Sequence, residues 1–231
     1  MISEEFFHGV FITNASIIQQ KLQQVKAFVF DWDGVFNDGR KDIQGNSGFS
    51  EIDSMGINMM RFSYYLLHDH LPVCIILTGE NNKLAVSFAK RENFHSVFYK
   101  MANKKTALDH LCQQHNISPG EVLFVFDDVL DLSVAKLAGI RCMIGRSVNP
   151  LLTKFAIDKG LVDCITKHDG NDHAVREISE MVMMLSGNFD TTIEHRMHFS
   201  DAYKEYLRLR KNISTEFFTT KEHRIIQDIT I

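Results

Sequence analysis

A chain of 231 residues, 45% hydrophobic and 23% charged, can bury one sizeable core, so one main domain is expected. Its formal charge of -4 supplies no surplus of Lys and Arg to neutralise a phosphate backbone, which argues against nucleic acid as the main partner. No apolar run approaches the roughly 20 residues that span a bilayer, and the acidic start "MISEEFF" lacks the basic region of a signal peptide. Cys74, Cys112, Cys142 and Cys164 are widely spaced without a CxxC pair, which suits reduced, buried thiols in a cytoplasmic protein better than disulfides or zinc.

Residues 1–24 read as an N-terminal extension. After them, "VKAFVF" (25–30), "PVCIIL" (72–77), "VLFVF" (122–126) and "IRCMI" (140–144) are short runs rich in β-branched and aromatic residues, the pattern of strands buried on both faces, with "VDCIT" (162–166) as a fifth. Helical patterns alternate with them. Leu108, Leu111, Cys112 and His115 share one face; Val134, Leu137 and Ala138 share another, closed by Gly139. "SPGE" (118–121) has the signs of a capped helix start, and "NPLLTKFAIDKG" has Asn149 as cap, Pro150 first and Gly160 after its end. Strand and helix in alternation predict a three-layer α/β sandwich with a central parallel sheet, whose ligands bind beyond the carboxyl ends of the strands. The turn signals in "GVFNDGRKDIQGNSGFSEID" predict a β-hairpin flap after the first strand. The core is expected to end near residue 186. From 187 to 231 a helical stretch and a tail of mixed charge read as an appendage for packing or oligomerisation.

Polar residues collect where the predicted strands end. The first strand ends in Asp31 and Asp33, the second in Thr78 and Gly79, the third in Asp127, Asp128 and, after two apolar residues, Asp131; Lys104 opens the helix before that third strand. Clustered carboxylates raise one another's pKa unless a cation holds them, and Mg²⁺ takes a few carboxylates plus water and phosphate oxygens. Thr78, Gly79 and Lys104 offer hydrogen bonds and charge to phosphoryl oxygens, so the set reads as a phosphoryl-transfer site. One aspartate can act as nucleophile, and a second, two residues on, can serve as general acid and base. Eleven histidines, among them His68, His70, His195 and His198, form no convincing ligand set for a transition metal.

"DWDGVFNDG", "ILTGE", "ANKKTAL" and "FDDVLD" resemble, in order, the four motifs of the haloacid dehalogenase superfamily of phosphatases, over about residues 25 to 186. "NKKTALDHL", "DDVLDL" and "AVREI" are most similar to its sugar-acid branch, that of the 3-deoxy-D-manno-octulosonate 8-phosphate phosphatases. The resemblance implies Asp31 as nucleophile, Asp33 as general acid and base, Thr78 and Lys104 as phosphoryl ligands, and Mg²⁺ held by Asp31, the main-chain carbonyl of Asp33 and Asp127, supported by Asp128 or Asp131. It further implies a small phosphorylated sugar or sugar acid as substrate and a homotetramer. The gaps between motifs leave no room for a cap domain.

The chain also departs from that pattern. Ile52, Asp53 and Ser54 stand where an Arg-Asp-Gly is usual, Asn171, Asp172 and His173 replace a Gly-Arg-Gly, and Phe126 replaces a glycine. Asp53 and His173 are therefore expected on the substrate side, and the lost cations bear on carboxylate recognition. Two other classes compete with the enzyme: a catalytically weak oligomeric or regulatory module, suggested by these losses, and a response-regulator receiver, whose acidic pair follows the first strand rather than coming late.

Overall fold

The computed structural model describes residues 4–222 and 224–230. The first three residues of the acidic start, and His223 and Ile231 of the tail, lie outside them. A nine-stranded sheet runs through the molecule in the order β1-β7-β6-β5-β2-β3-β4-β8-β9. Its centre is parallel and consists of β2 (Ala27–Phe30), β3 (Val73–Leu77), β4 (Ser96–Phe98), β5 (Val122–Phe126), β6 (Ile140–Met143) and β7 (Cys164–Ile165). Because β2 to β4 spread to one side and β5 to β7 to the other, the strand order reverses between β2 and β5, where such sheets open a crevice.

Side-chain alternation along the strands fills both faces. On β2, Phe28 and Phe30 join a core under α1 (Ala15–Leu22), α2 (Glu51–His68), α3 (Lys83–Arg91) and α7 (Ala174–Ser186). Ala27 and Val29 join the opposite core under α4 (Lys104–His115), α5 (Leu132–Ala135) and α6 (Pro150–Asp158). This is the expected three-layer α/β sandwich. No helix among the described residues is long and apolar enough to cross a membrane.

Three expectations change. Residues 31–50 contain no strand, so the flap is a loop and not a β-hairpin. Side chains satisfy its backbone instead of a ladder: Asn37 accepts from Gly34 N and Gly39 N, and Asp42 accepts from Gln44 N and Asn46 N. The segment after residue 186 is only partly a helical appendage. α8 (Phe189–Met197) and α9 (Asp201–Lys211) pack Tyr203 and Tyr206 against Phe62 of α2, but β8 (Glu216–Lys221) then pairs in parallel with β4, and β9 (Arg224–Gln227) folds back on β8. The N-terminal extension joins the sheet too, since β1 (Val10–Phe11) runs antiparallel to β7. Chain segments at both ends thus close the edges of the sheet.

Candidate active site

Three adjacent strands deliver the functional side chains. β2, flanked by β3 and β5, ends at Asp31, whose amide donates to Val125 O at 2.9 Å. β3 leads to Thr78, held by its amide to Phe98 O at 2.8 Å, and β5 leads to Asp127. Asn103 caps α4 by accepting from Lys105 N, which fixes the helix start and turns Lys104 inward until it is 2% exposed. Together these residues line a cleft of about 510 Å³ with Asp33, Gly39, Lys41, Gly79, Leu130, Asp131 and Arg146.

At its floor, Lys104 Nζ stands 2.6 Å from Asp31 Oδ1 and 2.6 Å from Asp131 Oδ1. Asp31, Asp127 and Asp131 are all buried, and each offers an oxygen within 4.8 Å of the others. Burial raises the Asp127 carboxyl to about 8, with Asp31 adding to it and Arg146, 3.0 Å away, opposing it. Burial also raises Asp131 to about 7, again helped by Asp31 and opposed by Lys104. Burial disfavours the Lys104 ammonium, but Asp31 and Asp131 outweigh that and hold its pKa above the ordinary value.

Asp127 Oδ1 is buried without a hydrogen-bond partner among the described residues. Gly34, at φ +88°, brings the backbone so close that a Cβ there would collide with the Asp127 carboxylate and Arg146. Three converging carboxylates with an unsatisfied oxygen form a hard, all-oxygen donor set, which fits a divalent cation such as Mg²⁺.

The structure sorts the residues singled out from sequence. Asp31, Asp33, Thr78, Gly79, Lys104, Asp127 and Asp128 all line the cleft, but Asp128 is exposed and caps the turn Val129–Asp131 by accepting from Val129 N. That turn carries Asp131 inward, so Asp131 and not Asp128 completes the carboxylate cluster. A Cβ on Gly79 would meet only Leu130 at 3.8 Å, so its smallness keeps the cleft open rather than relieving a clash.

Asp53 and His173 do not line the cleft. Asp53 is fully buried in α2 and accepts from Arg176 N at 2.9 Å, capping the first turn of α7, with His173 Nδ1 3.6 Å from its other oxygen. The pair serves helix packing, and burial raises the Asp53 carboxyl to about 6 against the pull of the Arg176 amide and His173. Phe126 stacks on Phe124 at 5.4 Å inside the second core and does not face the cleft. Lys41, Ser47, Asn82 and Arg146 escaped the sequence reading. Arg146 lies three residues past the end of β6 and was within reach of the rule that strand ends face the ligand; Lys41 and Ser47 arrive from the flap loop, which carries no such rule.

No family model matches the chain. The 3-deoxy-D-manno-octulosonate 8-phosphate phosphatase KdsC of Escherichia coli K12 is 27% identical over 175 residues, covering 74% of this chain and 85% of that protein. The enzyme of the same name from Moraxella catarrhalis, crystallised with magnesium, phosphate and KDO, superposes with a TM-score of 0.64 at 25% identity, covering 78% of this chain and 97% of that one. The cobalt-bound deoxy-D-mannose-octulosonate 8-phosphate phosphatase from Haemophilus influenzae shares the fold, with a TM-score of 0.62 at 23% identity over 74% of this chain and 95% of its own. In sequence over about three quarters of its length, and in fold, this chain resembles the 3-deoxy-D-manno-octulosonate 8-phosphate phosphatases and other haloacid dehalogenase-type hydrolases.

Proposed function

We propose that the protein is a divalent-cation-dependent phosphatase that hydrolyses a small phosphorylated sugar or sugar acid through an aspartyl phosphate. The observation that carries this reading is the floor of the cleft, where Lys104 bridges Asp31 and Asp131 beside an unsatisfied Asp127. An Asp31 oxygen attacks phosphorus while the bond from phosphorus to the sugar oxygen breaks, and Asp33 gives its proton to that departing oxygen. Water then attacks the phosphoryl group, Asp33 takes a proton from it, and the Asp31 oxygen leaves, releasing inorganic phosphate and restoring both carboxyl groups. Thr78, Gly79 and Lys104 hold the phosphoryl oxygens. Asp31, Asp127, Asp131 and the main-chain carbonyl of Asp33 are the groups for Mg²⁺, which when bound supplies positive charge against the phosphoryl oxygens.

The sugar-acid substrate class rests on the names of the relatives, and Arg146 and Lys41 give the cleft the cations such a carboxylate needs. Leu130 and Val129 are 56% and 61% exposed at its rim, and Ile43 at the flap tip is 97% exposed, which supports assembly of several copies over an open site, a tetramer by the family pattern. Four buried, unpaired cysteines support a reducing, cytoplasmic setting.

Phosphate release from a panel of sugar and sugar-acid phosphates, with Mg²⁺ and with EDTA, tests the proposal. Turnover that needs the cation and disappears in Asp31→Asn is the expected result. A folded protein that binds Mg²⁺ but hydrolyses nothing in the panel would instead be a binding module.

A further inference from the structure

Asp33 is held by the flap, and its two oxygens are treated differently. Ser47 Oγ hydrogen-bonds Asp33 Oδ1, and Lys41 Nζ stands 2.5 Å from the same oxygen. Ser47 is 2% exposed and also meets Trp32 Nε1 at 3.1 Å and Asn82 Nδ2 at 2.6 Å. The direction of these bonds is forced. An indole N–H can only donate. The Asn82 amide is oriented by its other end, because Oδ1 caps α3 by accepting from Leu84 N and Ala85 N, which leaves Nδ2 to donate to Ser47. With both acceptor positions of its oxygen filled, Ser47 has one proton left, and it points at Asp33 Oδ1. Both contacts with Asp33 fall on Oδ1, so Oδ2 is the oxygen left to the cleft that Asp33 lines.

We propose that Ser47 is a positioning residue for Asp33: a chain of donors running from Trp32 and Asn82 through Ser47 anchors Asp33 Oδ1 and presents Oδ2 to the leaving group. The proposal rests on the phosphatase reading above. It makes the flap part of the acid-base machinery, since Lys41 and Ser47 flank the turn formed by Asp42 and Asn46. It also separates this carboxylate from Asp31, which is held by Lys104 at the cleft floor.

The test compares kcat/KM, which covers steps through departure of the leaving group, on p-nitrophenyl phosphate and on alkyl phosphates. A nitrophenolate leaves without a proton, whereas an alkoxide needs one, and positioned general acids contribute about 10² to 10⁴ in rate. Ser47→Ala is expected to lower kcat/KM on alkyl phosphates about 30-fold and on p-nitrophenyl phosphate less than about 3-fold. Ser47→Thr restores the hydroxyl and most of the loss. Asn82→Asp keeps an acceptor to cap α3 but draws the Ser47 proton away from Asp33, so it is expected to reproduce the selective loss.

Trp32 is the chain's single tryptophan, so its indole N–H gives one resonance that reports on the chain without any turnover. That resonance is expected to shift in Ser47→Ala and to stay near its native position in Ser47→Thr. Equal losses on both substrates, no loss on either, or an unmoved indole resonance in Ser47→Ala overturns the positioning role while leaving the phosphatase reading intact. A wild-type protein inert toward both ester classes overturns the two together.

Discussion

Two buried carboxylates, Asp127 just after β5 and Asp163 just before β7, have opposite fates. Asp163, fully buried, accepts from Thr13 Oγ1 at 2.7 Å and from Arg141 Nε at 2.8 Å, Nη2 at 2.9 Å and N at 2.9 Å, with Lys21 Nζ at 3.1 Å. Burial alone would raise its pKa, but Arg141, Thr13 and Lys21 bring it down to about 2. Among the described residues Asp127 has one cation, Arg146, faces Asp31 and Asp131, and keeps an oxygen without a partner. The same residue type, buried in both places, is a satisfied brace in one and an unsatisfied carboxylate in the other. What separates them is how many donors the fold supplies, and a shortage of donors marks the place where something else must bind.

The sharpest way to break this contrast is to remove charge from each side. Asp31→Asn is expected to abolish phosphate release, by about 10⁴-fold or more, with little effect on the melting profile. Residual Mg²⁺-dependent turnover in that variant would remove Asp31 from its role. Asp163→Asn should do the reverse. It leaves Arg141 short of a partner and is expected to cost about 3 kcal/mol in a denaturant titration, with kcat of the folded fraction unchanged.

Asp127→Asn sharpens the comparison because two effects separate. Without divalent cation it relieves repulsion from Asp31 and is expected to stabilise the protein by about 1 kcal/mol, yet it should lose most of the rise in Tm that Mg²⁺ gives the wild type. A less stable variant in EDTA would mean that Asp127 is as well braced as Asp163.

The most gradual effect is that of pH. Asp127 and Asp131 have folded pKa values raised from 3.8 to about 8 and about 7, so between those limits the folded state binds more protons than the unfolded one. Metal-free stability should therefore fall as pH rises from about 4 to about 8. Asp163, lowered to about 2, contributes stability above 3.8 that is lost only as pH falls through about 2. Tm measured against pH in EDTA should decline over the neutral range, and Mg²⁺ should flatten the decline. A flat profile without metal would contradict the raised values.

Much of this was legible in the sequence because strands buried on both faces cannot hide: "VKAFVF" and "VLFVF" announce β2 and β5, and the acids that follow them must sit at the carboxyl ends. Less legible were features that depend on a single turn or a distant partner. Whether Asp128 or Asp131 enters the cleft is decided by a turn of three residues, which spacing alone does not orient. Asp53 looked exposed to substrate because the family pattern places recognition there, but its partner, the Arg176 amide, lies 123 residues along the chain. The flap's turn residues suggested a hairpin, while Asn37 and Asp42 spend their side chains on the loop's own backbone. "TEFFTTK" has β-forming residues, yet its pairing with β4 is invisible without the fold, because its parallel partner lies about 120 residues earlier and a charged helix, α9, leads into it.

The placement of β8 bears on how the chain is made. Ser96, Val97 and Phe98 of β4 align with Glu216, Phe217 and Phe218 of β8, so the strand leading toward Met101 in the cleft is paired on its outer side only by residues synthesised about 120 positions later. At roughly 5 to 20 residues per second, β4 spends several seconds on the ribosome as an open edge carrying Val97 and Phe98. Until β8 arrives, that edge is the natural template for another nascent chain. Its aggregation during expression should therefore respond to the speed of translation through residues 99–218 more than to any substitution in the cleft.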